Sequence, residues 1–417
     1  MPDPFSSGPF GGFDPRLFES VPLFRELAKL LSWRGGPVNW ELAGQTATAL
    51  ATGPEESEAT SERATAELEQ AVHAAELWLD PITVLPAVEG PVQAYTRAEW
   101  LRLATSSGGL GVYVEPVAGG MAGALSKGLP EELSSAQGAM AGPLGDAMRS
   151  MGAMLYGIQI GTIAGHLAGQ LLGTYDLGLP TIDPRSVGSV GDAALRFARD
   201  YSLDQAEFRY WLALREAAHR RMFVGVSWLR DHLAGLIGAF ASAADFDPRT
   251  LMEQLGAMGL DPQALSDPAS MQEMLSRPEA FALEPTAGQK AALGRLQALV
   301  ALVEAYSDTV LRAAAGNKLT TLARIEEVAR RRRAEKGPGE RFLAQLIGLD
   351  LKPADFRLGQ RFCDAVIAAR GQEGLDRVWQ DPGNLPTERE LAEPSVWLVR
   401  MAAREIEADI SDLGDSE

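Results

Sequence analysis

A mainly α-helical fold, built as one unit of many helices around a central glycine-striped helix, is predicted by three observations. Apolar residues recur at helical spacing along most of the 417 residues, with Gly and Pro stop signals between the runs. No β-hairpin signal and no run of alternating strands interrupts them. Gly157, Gly161, Gly165, Gly169 and Gly173 recur at every fourth position inside Ser150–Tyr175, a stretch with no charged residue. One stripe of that helix therefore presents almost no side chain, which invites another backbone to approach closely.

The elements follow in order. Residues 1–15, rich in Gly, Pro, Phe and Ser, read as a loose tail. Leu17 to Trp33 has helical spacing through Leu23, Leu27 and Leu30 and stops at Arg34-Gly35-Gly36-Pro37. Helices are expected from Asn39 to Ala51 and from Glu55 to Leu79, then a connector at Pro81–Pro91. Thr96 and Glu99 form a capping box for the segment holding Trp100 and Leu101. After the glycine-striped helix, Leu177–Gly191 reads as a loop with a short extended piece at Pro180-Thr181-Ile182. Two or three strong helices run from Asp192 to about Ala244, the main one starting at the capping box Ser202-Leu203-Asp204-Gln205. Short helices and loops are expected from Phe246 to Thr286, and long helices over Lys290–Ala315 and Thr320–Lys336. Gly337-Pro338-Gly339 stops the last of these, and shorter helices continue to Glu405. The end, 405–417, is an acidic tail, which leaves 16–404 as the helical domain.

Composition removes several function classes. Lys plus Arg number 38 against 56 for Asp plus Glu, a net charge of -18 that repels nucleic-acid phosphates. One cysteine, Cys363, excludes a disulfide framework within the chain and reads as a small core residue. Only His73, His166, His219 and His232 are present, so any metal site must lean on carboxylates. Met1-Pro2-Asp3-Pro4-Phe5 has no basic then apolar pattern, so no signal peptide is read and a cytoplasmic location is expected. Gln159, His166 and Gln170 inside the uncharged stretch favour a buried helix over a membrane span.

The informative helix starts after Ser202. Phe208, Trp211 and Leu212 mark its inward stripe, and continuing at helical spacing that stripe reaches Arg215, His219, Met222 and Phe223. A buried guanidinium cannot shed its proton, so it needs carboxylate partners. The helix from Lys290 offers them. Leu293, Leu296, Val300, Val303 and Val310 set its inward face, with Glu304 at the edge and Asp308 one turn on. Arg215-Glu216-Ala217-Ala218-His219 is also one residue away from His-Glu-x-x-His, which binds zinc through two histidines while the glutamate polarises water. Arginine has no lone pair to offer a cation. A zinc beside it would meet about 4 kcal/mol of repulsion per unit of charge at about 4 Å and an effective dielectric of about 20.

Several further stretches carry a resemblance. Leu214 to Arg220, then Val226-Ser227-Trp228-Leu229-Arg230, is similar to the signature of the DUF2342 zincin-like family of metallopeptidases and hydrolases. Gly35 to Trp40, Val114-Glu115-Pro116-Val117, Asp176 to Pro180, Arg330 to Arg333 and Leu346 to Leu349 resemble its other markers, in the same order. The resemblance implies a zincin-like helical domain over most of the chain. It also implies His219 as a zinc ligand, Glu216 as general base and Glu304, in Val303-Glu304-Ala305-Tyr306-Ser307-Asp308, as third ligand. The chain departs from the pattern at Arg215, where a ligand histidine is expected, and at Tyr306, where another histidine is expected.

The reading that follows is an ion pair of Arg215 with Glu304 and Asp308 in place of a metal, with no cofactor. The protein would then be a binding or scaffold protein for a protein or peptide partner. The alternative is an active zinc-dependent hydrolase using His219, Glu304 and Asp308 as ligands and Glu216 as catalytic base. A third reading is a membrane-associated protein using the glycine-striped helix, although stable membrane insertion is not expected. Without a metal, Glu216 is expected to pair with Arg220 at i+4. Arg330 to Arg333, flanked by Glu326, Glu327 and Glu335, reads as a solvated helix face.

Overall fold

The computed structural model describes residues 33, 35–51, 58–127, 141–243, 286–349 and 351–414. The tail expected at 1–15, most of the helix expected up to Trp33, and the segment expected from Phe246 as far as Pro285 lie outside the described residues. Within them the chain is mainly α, with fourteen α-helices and one two-stranded sheet.

The first half runs α1 (Trp40–Leu50), α2 (Glu58–Leu79), β1 (Val92–Tyr95), α3 (Arg97–Ala104), α4 (Gly111–Lys127) and α5 (Ala141–Ala168). After β2 (Val187–Val190) come α6 (Ala193–Asp200), α7 (Gln205–Gly225) and α8 (Leu229–Ser242). The last third holds α9 (Ala287–Ala315), α10 (Leu322–Glu335), α11 (Pro338–Ile347), α12 (Pro353–Asp376), α13 (Glu388–Ala392) and α14 (Pro394–Gly414).

Local chemistry accounts for the ends. Thr96 caps α3 through the capping box with Glu99, as the spacing predicts. The cap of α7 differs from the expected one. Asp204 accepts from the Glu207 amide, while Ser202 takes a left-handed φ of 51° in the preceding turn. Pro338 does not merely stop α10; it is the first residue of α11, where its missing N–H costs no hydrogen bond.

The glycine stripe has a local explanation. A Cβ on Gly157 would stand 2.6 Å from the Asn39 carbonyl oxygen, one on Gly161 2.4 Å from that of Ala43, and one on Gly165 2.9 Å from that of Ala47. Successive turns of α1 thus lie directly on α5, and the Asn39 amide donates across to the Ala153 carbonyl at 2.9 Å. The helix ends at Ala168, so Gly169 and Gly173 belong to the loop that follows. Among the described residues no helix is long and apolar enough to cross a membrane.

The predicted loop at Leu177–Gly191 is corrected in one respect. Its extended piece is Val187–Val190 rather than Pro180–Ile182, and it pairs in parallel with β1, Val92 opposite Val187. Four residues on each side are too few to show an alternating pattern in a sequence. The pair clamps the loop at 169–191 beneath α7. Helix α7 also packs on α2 and α9, and α9 packs on α8 and α12, so the stripe of α7 is enclosed by helices.

Candidate functional site

Helix α7 is buried on every side from Phe208 to Phe223 except at its first turns, and its long polar residues must find partners inside the protein. Arg215 is 1% exposed, Glu216 1% and His219 0%. Opposite them on α9, Glu304 and Ser307 continue the inward stripe of Leu296, Val300 and Val303.

Glu304 is the hub. Arg215 Nη2 donates to both its oxygens, at 2.8 and 2.9 Å, and Arg333 Nη1 donates to Oε2 at 2.9 Å. His219 Nε2 lies 3.1 Å from Oε1. Burial alone would raise the pKa of this carboxyl. Arg215, His219 and Arg333 hold it well below the usual carboxylate range. Burial likewise disfavours the Arg215 charge, but Glu304, Asp308 and Asp176 raise its pKa further above the ordinary value. Asp308 lies farther out. Arg333 Nη2 donates to it at 3.1 Å, and Arg215 Nη1 is 3.6 Å away, an ion pair without a hydrogen bond.

The His219 ring is fixed on all sides. Nδ1 lies 2.8 Å from the Arg215 carbonyl oxygen and 3.1 Å from Ser307 Oγ, and the ring packs against Tyr175. Tyr306, where the resemblance led to the expectation of a histidine, takes no part in this centre. Its hydroxyl donates to Asp376 at 2.7 Å and bonds Thr83, a separate buried network that ties α9 to α12 and to the turn after α2.

Two expectations are corrected here. Glu216 does not pair with Arg220, whose Nη2 donates to Glu76 at 2.7 Å. Glu216 lies in a nest of neutral donors instead. The amides of Thr174 and Tyr175 donate at 3.0 Å each, the Gly188 amide at 3.3 Å, and the Thr174 hydroxyl completes the set. A Cβ on Gly173 would stand 2.3 Å from Glu216 Oε1, so only glycine lets the loop wrap this close. Burial pushes the Glu216 pKa up, and the Thr174 and Tyr175 hydrogen bonds offset part of that rise.

The arginine run is likewise only half a solvated face. Arg330 and Arg331 are exposed and pair with Glu327. Arg332 and Arg333 turn inward, Arg332 Nη2 standing 2.8 Å from Asp176 and 3.2 Å from Glu340. Arg333, Arg332 and Asp176 are the site residues that sequence reasoning missed. A signal existed for the arginines. The apolar stripe of α10 through Ile325 and Ala329 extends at helical spacing to Arg332 and Arg333, by the logic that singled out Arg215.

The arrangement does not fit a zinc. His219 and Glu304 are donors of the right kind. The position beside them, however, is filled by a guanidinium hydrogen-bonded to both Glu304 oxygens, and Arg333 neutralises the same carboxylate from the other side. Glu216, the expected base, has both oxygens taken up by loop donors. Among the described residues no three His, Cys, Asp or Glu side chains form a group able to hold a metal ion.

A half-open cleft reaches this centre from outside. It encloses about 630 Å³, counting the part open to solvent, and its charged lining residues are Asp176, Glu304, Arg332, Arg333, Lys336 and Glu340. Leu343, Ile347, Leu349, Leu351 and Phe356 form an apolar wall.

A model of the family described as zincin-like metallopeptidase matches residues 38–398. A crystal structure from Chloroflexus aurantiacus, described as a candidate hydrolase with a novel fold, is similar at 26% identity and a TM-score of 0.60. The match covers 88% of this chain and 99% of that one. No curated protein matches the chain.

Proposed function

The chain belongs to the zincin-like metallopeptidase family, and from that premise we propose that it is a metal-independent member in which a buried ion pair stands where the family places zinc. It acts by binding a protein or peptide partner, as a recognition or scaffold protein, and not by hydrolysis.

One observation carries the reading: Arg215 Nη2 lies 2.8 and 2.9 Å from the two oxygens of Glu304, whose Oε1 is also 3.1 Å from His219 Nε2. The three groups converge as metal ligands would, but one of them brings its own positive charge. Charge balance supports the same conclusion. Arg215 and Arg333 face Glu304 and Asp308, two charges of each sign, so the centre does not need a cation to offset its carboxylates. Hydrolysis would further need a carboxylate free to take a proton from water, and the Glu216 oxygens are occupied by the loop.

Elemental analysis of the purified protein tests the proposal. Zinc well below one atom per chain, unchanged in His219→Ala, is the expected result. Stoichiometric zinc that is lost in His219→Ala would overturn it in favour of an active zinc-dependent hydrolase using His219, Glu304 and Asp308. Arg215→His removes the guanidinium and restores a donor, so that variant should gain zinc if the inherited geometry is retained.

A further inference from the structure

Helix α10 is held to the molecule in a different way from its neighbours. Ile325 and Ala329 are its only buried residues, whereas α7 buries every residue from Trp211 to Phe223. Its hold is therefore mostly polar. At its start, Glu207 of α7 accepts from the Thr320 and Thr321 amides at 3.0 and 2.7 Å and from both hydroxyls at 2.7 and 2.5 Å. Along its length, Arg324 Nη2 donates to the Tyr201 carbonyl oxygen and Arg312 Nε donates to Glu326, each at 2.8 Å. At its end, Arg333 meets Glu304 and Asp308, and Arg332 meets Asp176 and Glu340.

The seam beneath α10 is not fully closed. Ala329, Arg332 and Arg333 line a void with Leu172, Trp211 and Arg215 that has room for about one water. Arg215 Nη1 is buried without a hydrogen-bond acceptor, Asp308 Oδ1 being 3.6 Å away. An N–H in that state bears its full desolvation cost, which entry of water would relieve.

Both ends of α10 are free of the neighbouring helices. Gly316, at a φ of 46°, ends α9, and Gly337 separates α10 from α11. The start of α11 is fixed, because Gly339 packs directly on His166 and Leu167 of α5. If Arg333 moves away, Glu304 keeps Arg215 and His219 as partners, so lifting α10 strands no buried charge.

We propose that α10 is a lid latched by charge, which lifts from α7 and α9 as a unit while the rest of the fold stays intact. A helix with few buried apolar contacts has low local stability and opens ahead of the core. Arg332 and Arg333 line both the void and the outer cleft, so lifting them joins the cleft to the Arg215–Glu304 centre. A side chain of the partner then reaches that centre, and this last step alone rests on the binding function proposed above.

Thiol labelling of the full chain tests the lid with no partner or metal involved. Ala329→Cys places a thiol in the void, and the native Cys363, fully buried on α12, reports opening of the core in the same molecule. With dithionitrobenzoate the introduced thiol should react about tenfold or more faster than Cys363. Raising sodium chloride from about 0.05 M to about 1 M should speed the introduced thiol about threefold and leave Cys363 unchanged, because the latch is ionic. Glu207→Gln should speed it about threefold and Arg333→Gln about tenfold, again without effect on Cys363. Hydrogen exchange of the unsubstituted chain gives the same comparison, faster at Ile325 to Ala329 than at Leu212 to Ala218. Equal rates at the two thiols, no response to salt or to either variant, or variants that speed both thiols alike would overturn the inference. Zinc measured in the same preparation tests the metal-free reading separately, since labelling depends on neither its presence nor its absence.

Discussion

Glu216 on α7 and Glu304 on α9 are both buried carboxylates, and they are held by opposite means. Glu304 faces Arg215 and Arg333, so formal charges oppose it directly. Glu216 faces amides and a hydroxyl from the loop at 173–175 and from β2, with no cation in contact. Their pKa values accordingly move apart, Glu304 falling and Glu216 rising. Ion pairing can hold a charge in the interior on its own terms. Neutral donors position a buried carboxylate but only partly offset the cost of its charge. The first arrangement ties α7, α9 and α10 together through charge, and the second fastens the loop at 169–191 to α7.

The largest effect should come from breaking the charged side. Arg215→Met leaves Glu304 facing Arg333 and His219 alone and should lower unfolding free energy by about 3–5 kcal/mol in urea titrations. The Arg215→Met/Glu304→Gln double variant removes both ends, so its loss should fall short of the sum of the single losses by about 1 kcal/mol or more. Additivity of the two would mean that the pair contributes no coupling.

The neutral nest should be less costly to disturb. Glu216→Gln keeps the shape but turns an NH2 toward amide N–H groups, and a loss of about 1–3 kcal/mol is expected. Hydrogen exchange should quicken at Thr174, Tyr175 and Gly188, whose amides donate to Glu216, and stay unchanged at Asp308. Unchanged exchange at all of them would show that the loop does not depend on Glu216.

The smallest and most diagnostic effect is on pH dependence. Glu304 has a folded pKa below its usual 4.5, so its contribution is present above pH 4.5 and is lost as pH falls toward the folded value. Glu216 has a folded pKa above 4.5, so its contribution has the opposite sign, present below pH 4.5 and lost as pH rises through the folded value. Replacing Glu304 by Gln should therefore flatten the acid limb of the stability curve, and Glu216→Gln should steepen the net rise of stability with pH. Equal slopes in the two variants would erase the distinction between the two sites.

How much of this was readable beforehand follows from periodicity. Arg215, His219 and Glu304 stand at helical spacing from apolar residues, and a helix turns every residue on that stripe to the same side. Arg332 and Arg333 obey the same rule on α10, but a run of four arginines hides its own inward half. The nest around Glu216 has no side-chain signature, because its donors are mostly backbone amides, which every residue but proline carries. The two strands were missed for a related reason: four residues each, with Val92 paired to Val187 far along the chain, leave no local pattern.

Residue order alone decided that the chain is helical, that α5 would present a bare stripe, and that a permanently charged side chain would lie inward on α7. Which carboxylates meet that charge, that Arg333 joins them, and that Glu216 turns to a loop instead of to Arg220 were decided only by tertiary packing. The physical reason is range. Helical spacing acts over three or four residues, whereas neutralising a buried charge depends on groups brought together from helices and loops far apart in the chain.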